Sequence, residues 1–397
     1  MDAFRYARIP KGLRPEENHV YELLLQVVGH RERHLEAPPK VIAITDIAKD
    51  VDDVVAVVLL KELHRLGLIH IDGFVANLYP QKQRGLLGRG ALDSMGLNDV
   101  PIAIGTEASL KRHEVHSYEF DCSFMAPDTT SLPNGLELLH KLFSAAKQNG
   151  DQVTLLLISA LQDIDEFTQA YPNDIRDVVD KVVLQGGYKI EGDKVIAATD
   201  AANNSMNQPA ADRFHEFLSK NKIPSVAYTK IATFATEIPD QLCKDLEATG
   251  HPVGIYLRKA QVEMDLAFYA TSCNPDPSKR FRPSMDQQWY LKNKSSYFDT
   301  PRTKDEPLPV GDEVVKYFNK LVAYDALAAL AAGGDDILHH LKISKPSKNG
   351  EKPLHQVIGT PKTATEELDP GINGKAMAQA IRALVRGSLL ACQQNLS

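Results

Sequence analysis

The chain has 397 residues, 43% of them hydrophobic and 24% charged, and a formal net charge of -7. That composition excludes wholesale disorder and a nucleic-acid-binding surface, since no basic stripe faces the acidic balance. Cys122, Cys243, Cys273 and Cys392 lie too far apart in sequence for a structural zinc site or a small disulfide framework, so plain thiols in a reducing compartment are expected. The N-terminus lacks an apolar signal region and the longest apolar run, Val54 to Leu60, is too short to span a bilayer, so a cytoplasmic location without membrane contact is expected.

Residues 1–38 carry one amphipathic segment, Glu17 to Glu36, which reads as an N-terminal helical extension. The run Val41-Ile42-Ala43-Ile44 reads as a buried parallel strand, and a helix is expected to begin near Asp53. Strands then follow at Ile69–Ala76, Pro101–Ile104, Val153–Ser159 and Val182–Gln185, with helices at Lys82–Met95, Gly135–Lys147 and Asp163–Tyr171 between them. This alternation predicts an α/β fold with a mostly parallel sheet covered by helices on both faces, and a ligand site at the carboxyl ends of its strands. Residues 268–308 break the rhythm with a Pro/Asp-rich and Lys/Arg-rich stretch around the single Trp289, and read equally as a lid or as a solvated excursion. Val314 to Ala332 reads as a strong helix, Ser344 to Lys352 as a linker and Gly374 to Leu390 as an amphipathic C-terminal helix. The organisation is thus an extension over 1–38, an α/β domain over 39–340, and a linker with its packed helix over 341–397.

The chemistry concentrates in Thr45-Asp46-Ile47-Ala48-Lys49-Asp50-Val51-Asp52-Asp53, directly after a buried strand. Carboxylates so crowded repel one another and need a cation or backbone N–H donors to stay ionised. Helix capping by Asp52 and Asp53 is the plainer alternative. His116, Asp121 and the pair His339-His340 read as surface residues, and Gly186-Gly187 as a tight turn without the rest of a phosphate loop. No Gly-x-Ser-x-Gly elbow occurs.

This Asp motif resembles the D-x-D-x-G-x-D-D signature of the inosine-uridine-preferring nucleoside hydrolase family. Further segments resemble that family in its own order: Val75-Ala76-Asn77, Ser159-Ala160-Leu161-Gln162-Asp163, Leu184-Gln185-Gly186-Gly187, Ala202 to Ala211 and Tyr324-Asp325-Ala326-Leu327-Ala328. The resemblance implies a calcium site made by Asp46, Asp50, Asp53, Asp325 and the Gln162 carbonyl, with Asn77, Asn204 and Asp46 on the substrate. It implies Asp50 or Asp52 as a substitute general base and Tyr324 in place of the histidine that protonates the leaving base. The family's usual base falls on Ala48 and a ribose-binding glutamate on Ala202. Lys49 stands where the family has proline, and its ammonium is an alternative to Ca²⁺ as counter-charge. The resemblance therefore implies a divergent N-ribosyl hydrolase acting on a ribosylated small molecule, in a homo-oligomer. The alternative is a catalytically degenerate homologue that serves as a binding or scaffold protein or runs a different reaction in the same pocket.

Overall fold

The computed structural model describes residues 8–303, 306–346, 352–361 and 367–396. Seven strands form the central sheet: β1 (Lys40–Thr45), β2 (His70–Ala76), β3 (Ile102–Ile104), β4 (Val153–Ile158), β5 (Val179–Gln185), β6 (Ser225–Tyr228) and β7 (His355–Ile358). Their order across the sheet is β7-β6-β5-β4-β1-β2-β3, and every pairing is parallel. A parallel sheet buries both faces, and successive residues of β1 divide accordingly: Val41 and Ala43 join one apolar core, Ile42 and Ile44 the other. Helices cover both faces, as the sequence predicts.

From β1 the chain builds outward through β2 to β3, then returns to the other side of β1 and builds outward from β4 to β7. The crevice between the carboxyl ends of β1 and β4 is therefore the switch point at which such sheets bind ligands. Helix α1 (Pro15–His34) lies outside the sheet, and α2 (Val51–Arg65) follows β1. Then come α3 (Gln81–Ser94), α4 (Gly135–Asn149), α5 (Gln162–Ala170), α6 (Gln208–Asn221), α7 (Pro252–Ser272), α8 (Gln287–Lys294), α9 (Tyr324–Ala331) and α10 (Gly374–Gln393). Residues 51–63 of α2 are all buried, because α9 and the C-terminal α10 enclose the side turned away from the sheet. The N-terminal α1 packs in turn on α10, where Gly387 leaves room for the Tyr21 ring and the Tyr21 hydroxyl donates to Glu62 at 2.6 Å. Among the described residues no helix is long and apolar enough to cross a membrane.

Three features depart from the sequence reading. The helix expected over 314–332 is interrupted: Gly311–Tyr317 winds as a 3-10 turn, Leu321 pairs with Ile238, and α9 starts only at Tyr324. The two strands β6 and β7 carry no long apolar run that would announce them. The linker expected over 344–352 lies partly outside the described residues, at 347–351. The stretch 268–308 is anchored at part of its length: its Tyr269, Tyr290, Leu291 and Tyr297 join Val314 and Phe318 in an apolar cluster, with Tyr269 donating to the Pro309 carbonyl at 2.5 Å.

Candidate metal and ligand site

Strand β1 delivers the acidic loop to the switch point. Asp46 is the first residue beyond it, Ala48 takes a left-handed turn at φ +71° and is itself buried, and Asp50 precedes the first turn of α2. The loop is fixed from outside by Arg84, whose side chain on α3 is fully buried. Its guanidinium donates to the carbonyls of Asp46 (3.3 Å), Ile47 (3.1 Å), Leu78 (3.2 Å) and Tyr79 (3.3 Å), and to Glu119 Oε2 at 2.6 Å. Burial alone would raise the Glu119 carboxyl, but His113 and Arg84 hold it below its ordinary value.

Asp52, Asp53 and Asp325 bring a carboxylate oxygen each within 4.8 Å of one another, and all three are buried. Asp52 is no cap for its own helix. Its Oδ2 accepts the backbone N–H of Tyr324 at 2.8 Å and of Asp325 at 3.3 Å, so it caps α9 and sets Asp325 against Asp53. Asp53 accepts from the Asp50 N–H at 3.1 Å and from Thr45 Oγ1 at 3.3 Å. Burial and the mutual repulsion of Asp46, Asp52 and Asp325 push the Asp53 carboxyl well above its ordinary range, and Asp325 rises for the same reasons. Asp52 is pushed up to about 7, chiefly by burial and by Asp50.

The only cation inside this ring is Lys49, among the described residues. Its Nζ lies 2.5 Å from Asp50 Oδ2 and 4.0 Å from Asp46 Oδ2. Burial would lower the ammonium, but Asp50, Asp46 and Asp53 outweigh it and hold it well above its ordinary value. The same pair holds Asp50 low against the opposing effect of burial. Lys49 serves one side of the ring. Asp46 Oδ2 still lacks a hydrogen-bond donor, and the Asp52–Asp53–Asp325 trio has no cation in ion-pair contact among the described residues. A buried, all-oxygen, acidic set with an orphaned carboxylate oxygen beside it fits a hard divalent cation such as Ca²⁺.

The remaining residues singled out from sequence divide by what holds them. Asn77, fully buried beyond β2, donates to the Ala160 carbonyl at 3.1 Å and to Asp163 Oδ2 at 2.8 Å, and accepts from Ser159 Oγ. It ties the ends of β2 and β4 together, and Thr106 completes the network on Asp163. Asn204 lies at the carboxyl end of β5 and donates to the carbonyls of Gly187 (2.8 Å) and Ala198 (2.9 Å). Gln162 opens α5 and its side chain turns to Asn207 and Glu166. Tyr324 is half-buried against Phe234, ring centroids 6.0 Å apart, and burial with Asp52 and Asp50 pushes its phenol well above the ordinary value. The insert supplies two cations near the site: the charges of Asp52 and Asp50 reach Lys294, and Arg282 acts on Tyr324.

Sequence reasoning missed Arg84 and Glu119. A signal was present, since Arg84 shares a helical face with Leu87, Gly88 and Ala91, a face that belongs in a core.

No family model matches the chain, and no curated protein does. Among solved structures the chain is similar to the effector protein XOO4466, with a TM-score of 0.73 at 20% identity over 95% of this chain and 99% of that one. It is similar to the type III effector protein XopQ, solved with adenosine diphosphate ribose, at a TM-score of 0.69 and 20% identity over 96% and 99% of the two chains. An inosine-guanosine nucleoside hydrolase matches at a TM-score of 0.54 and 12% identity over 87% and 98%. At these identities the likeness establishes the fold, which is the nucleoside hydrolase-like α/β architecture.

Proposed function

We propose that this chain binds the ribosyl part of a small molecule at a divalent cation held by Asp52, Asp53 and Asp325, and that hydrolysis of an N-ribosyl bond is a slow, secondary activity. The observation that carries the binding is the convergence of three buried carboxylates within 4.8 Å, drawn from positions 272 residues apart in the chain. Calcium, when bound, supplies a hard Lewis acid able to grip vicinal hydroxyls and to acidify a bound water. Asn204 and Asp46 stand at the same carboxyl end of the sheet, and Tyr324 with Phe234 offers an aromatic wall for the group attached to the sugar.

Two observations argue for slow hydrolysis. Ala48, at the position of the family's base, brings no proton acceptor to the site, and Asp50 is paired to Lys49. The other candidate base, Asp52, already faces the cation and accepts the N–H groups of Tyr324 and Asp325. Loss of a properly placed base lowers turnover by about 10²–10⁴-fold.

Calorimetry on the full chain with adenosine diphosphate ribose, in calcium and in chelator, tests the binding. We expect calcium-dependent binding that Asp53→Asn and Asp325→Asn abolish. Absence of binding to this ligand and to free ribose in calcium would overturn the reading. Release of free base from adenosine, inosine or uridine at the rate of a complete site would overturn the claim of slow hydrolysis.

A further inference from the structure

At the opposite flank of the sheet, two buried histidines stand beside Tyr188. His215 on α6 and His355 at the start of β7 have ring centroids 5.5 and 6.4 Å from that of Tyr188. His215 Nδ1 lies 2.7 Å from the Ala211 carbonyl, which only accepts, so the ring proton sits on Nδ1. His355 Nδ1 lies 2.9 Å from Ser225 Oγ, Ser225 Oγ lies 2.9 Å from the Tyr188 hydroxyl, and that hydroxyl lies 2.8 Å from the Gln356 carbonyl. The Tyr188 hydroxyl has the carbonyls of Gln356 (2.8 Å) and Ser225 (3.1 Å) to donate to, so it accepts from Ser225 Oγ, which leaves Ser225 to accept the His355 Nδ1 proton. Both rings then present Nε2 as a bare lone pair, and in both that atom is buried without a hydrogen-bond partner among the described residues.

A neutral imidazole tolerates an idle lone pair far better than an imidazolium tolerates an idle N–H, since a buried donor without an acceptor carries its full desolvation penalty. The groups that face these rings offer no relief. Among the described residues the side chains in ring or hydrogen-bond contact with them are Tyr188, Ser225 and Phe214, and neither histidine has a carboxylate in ion-pair contact. Asp212 is the carboxylate whose charge reaches His215.

We propose that His215 and His355 form an acid-sensitive latch that holds the edge strand β7 on the sheet. Protonation at Nε2 breaks the latch and favours release of that strand. Burial depresses both rings below the ordinary histidine value, His215 to about 4, in keeping with this geometry.

The latch connects to the ligand site through Thr229. The Thr229 N–H donates to the Ile358 carbonyl at 3.0 Å, and its hydroxyl donates to the Gly359 carbonyl at 2.7 Å. Gly359, at φ +89°, packs so closely that an added Cβ would lie 2.5 Å from the Ala232 nitrogen. Thr229 caps the short helix Lys230–Ala235, and that helix carries Phe234 against Tyr324. Releasing β7 therefore frees the N-terminal anchor of the segment that walls the ligand site.

Hydrogen exchange on the full chain, without ligand, tests this independently of the proposed function. After correction for the chemical exchange rate, protection of residues 354–359 and 229–235 should fall about 30-fold between pH 7.5 and 5 for each histidine that titrates near 6.5 in the opened state. Strands β1 and β4 should keep their protection over that range. His355→Gln should remove one such factor, and His215→Phe with His355→Gln should leave these segments insensitive to pH. An equal loss across the whole sheet, or an unchanged loss in either variant, would overturn the latch.

Discussion

Replacing Arg84 with methionine should test how the acidic loop is held. The guanidinium is fully buried, gives four backbone carbonyls a donor, pairs with Glu119 at 2.6 Å and lies 5.3 Å from the Phe120 ring. Methionine fills much of the volume but leaves the Glu119 carboxylate, also fully buried, with His113 at 2.9 Å and the His116 N–H at 2.7 Å as its remaining partners among the described residues. Removing one partner of a buried ion pair costs about 3–5 kcal/mol. With an unfolding entropy of about 2.1 cal/mol/K per residue over 397 residues, that corresponds to a Tm lowered by about 4–6 °C for a cooperative transition. Adding Glu119→Gln should recover about half, because the stranded charge is then gone. Scanning fluorimetry of the single and double variants measures both. A single variant melting within about 1 °C of wild type would show that the pair does not brace the loop, as would a double variant that adds the two losses.

Calcium should raise the Tm of the wild type, by about 2.7 kcal/mol of stabilisation at a concentration 100-fold above Kd, and Asp53→Asn should abolish the rise; an equal rise in the variant would place the ion elsewhere. Asp52, Asp53 and Asp325 have folded-state values raised above those of the unfolded chain, Asp52 to about 7, so their contribution is present at low pH and lost as pH climbs from the unfolded value through each folded one. In chelator, the Tm difference between wild type and Asp53→Asn should therefore shift against the wild type from pH 5 to 8, and calcium should reverse it; a shift in its favour without calcium would refute the assignment. Lys49→Met should weaken metal-free stability by leaving Asp50 unpaired while enlarging the calcium-induced rise, and a variant that melts like wild type in both conditions would remove Lys49 from the site's electrostatics. Tyr324→Phe should leave adenosine diphosphate ribose binding within about twofold and reduce any base release by about 10²-fold; equal turnover would exclude the phenol as proton donor.

The sheet was legible because its central strands are continuous apolar runs, and Val153 to Ile158 is buried at every position. Two short strands are different: Ser225–Tyr228, one in from the edge, and His355–Ile358, at the edge, have four residues each and are defined by the neighbours they pair with, which no local pattern encodes. The acidic loop announced itself by charge crowding, and Asp325 entered through resemblance alone, since nothing local distinguishes it from a helix-capping aspartate. Asp52 did cap a helix, but one formed 272 residues later. Asn77 illustrates the opposite limit. Its position after β2 was readable, yet its amide is engaged by Ala160, Asp163 and Ser159, so it positions the strand ends, and only the packed structure reveals that.

The bond from Asp52 to the start of α9 also has a consequence for how the molecule is made. During synthesis at about 5–20 residues per second, the acidic loop leaves the ribosome about 15–55 s before Tyr324 and Asp325 exist to meet it. Throughout that interval Asp52 and Asp53 stand without the third carboxylate and without the helix that orients it. The three-carboxylate cluster is therefore a late product of translation, complete only when the C-terminal part of the sheet's cover has arrived and docked.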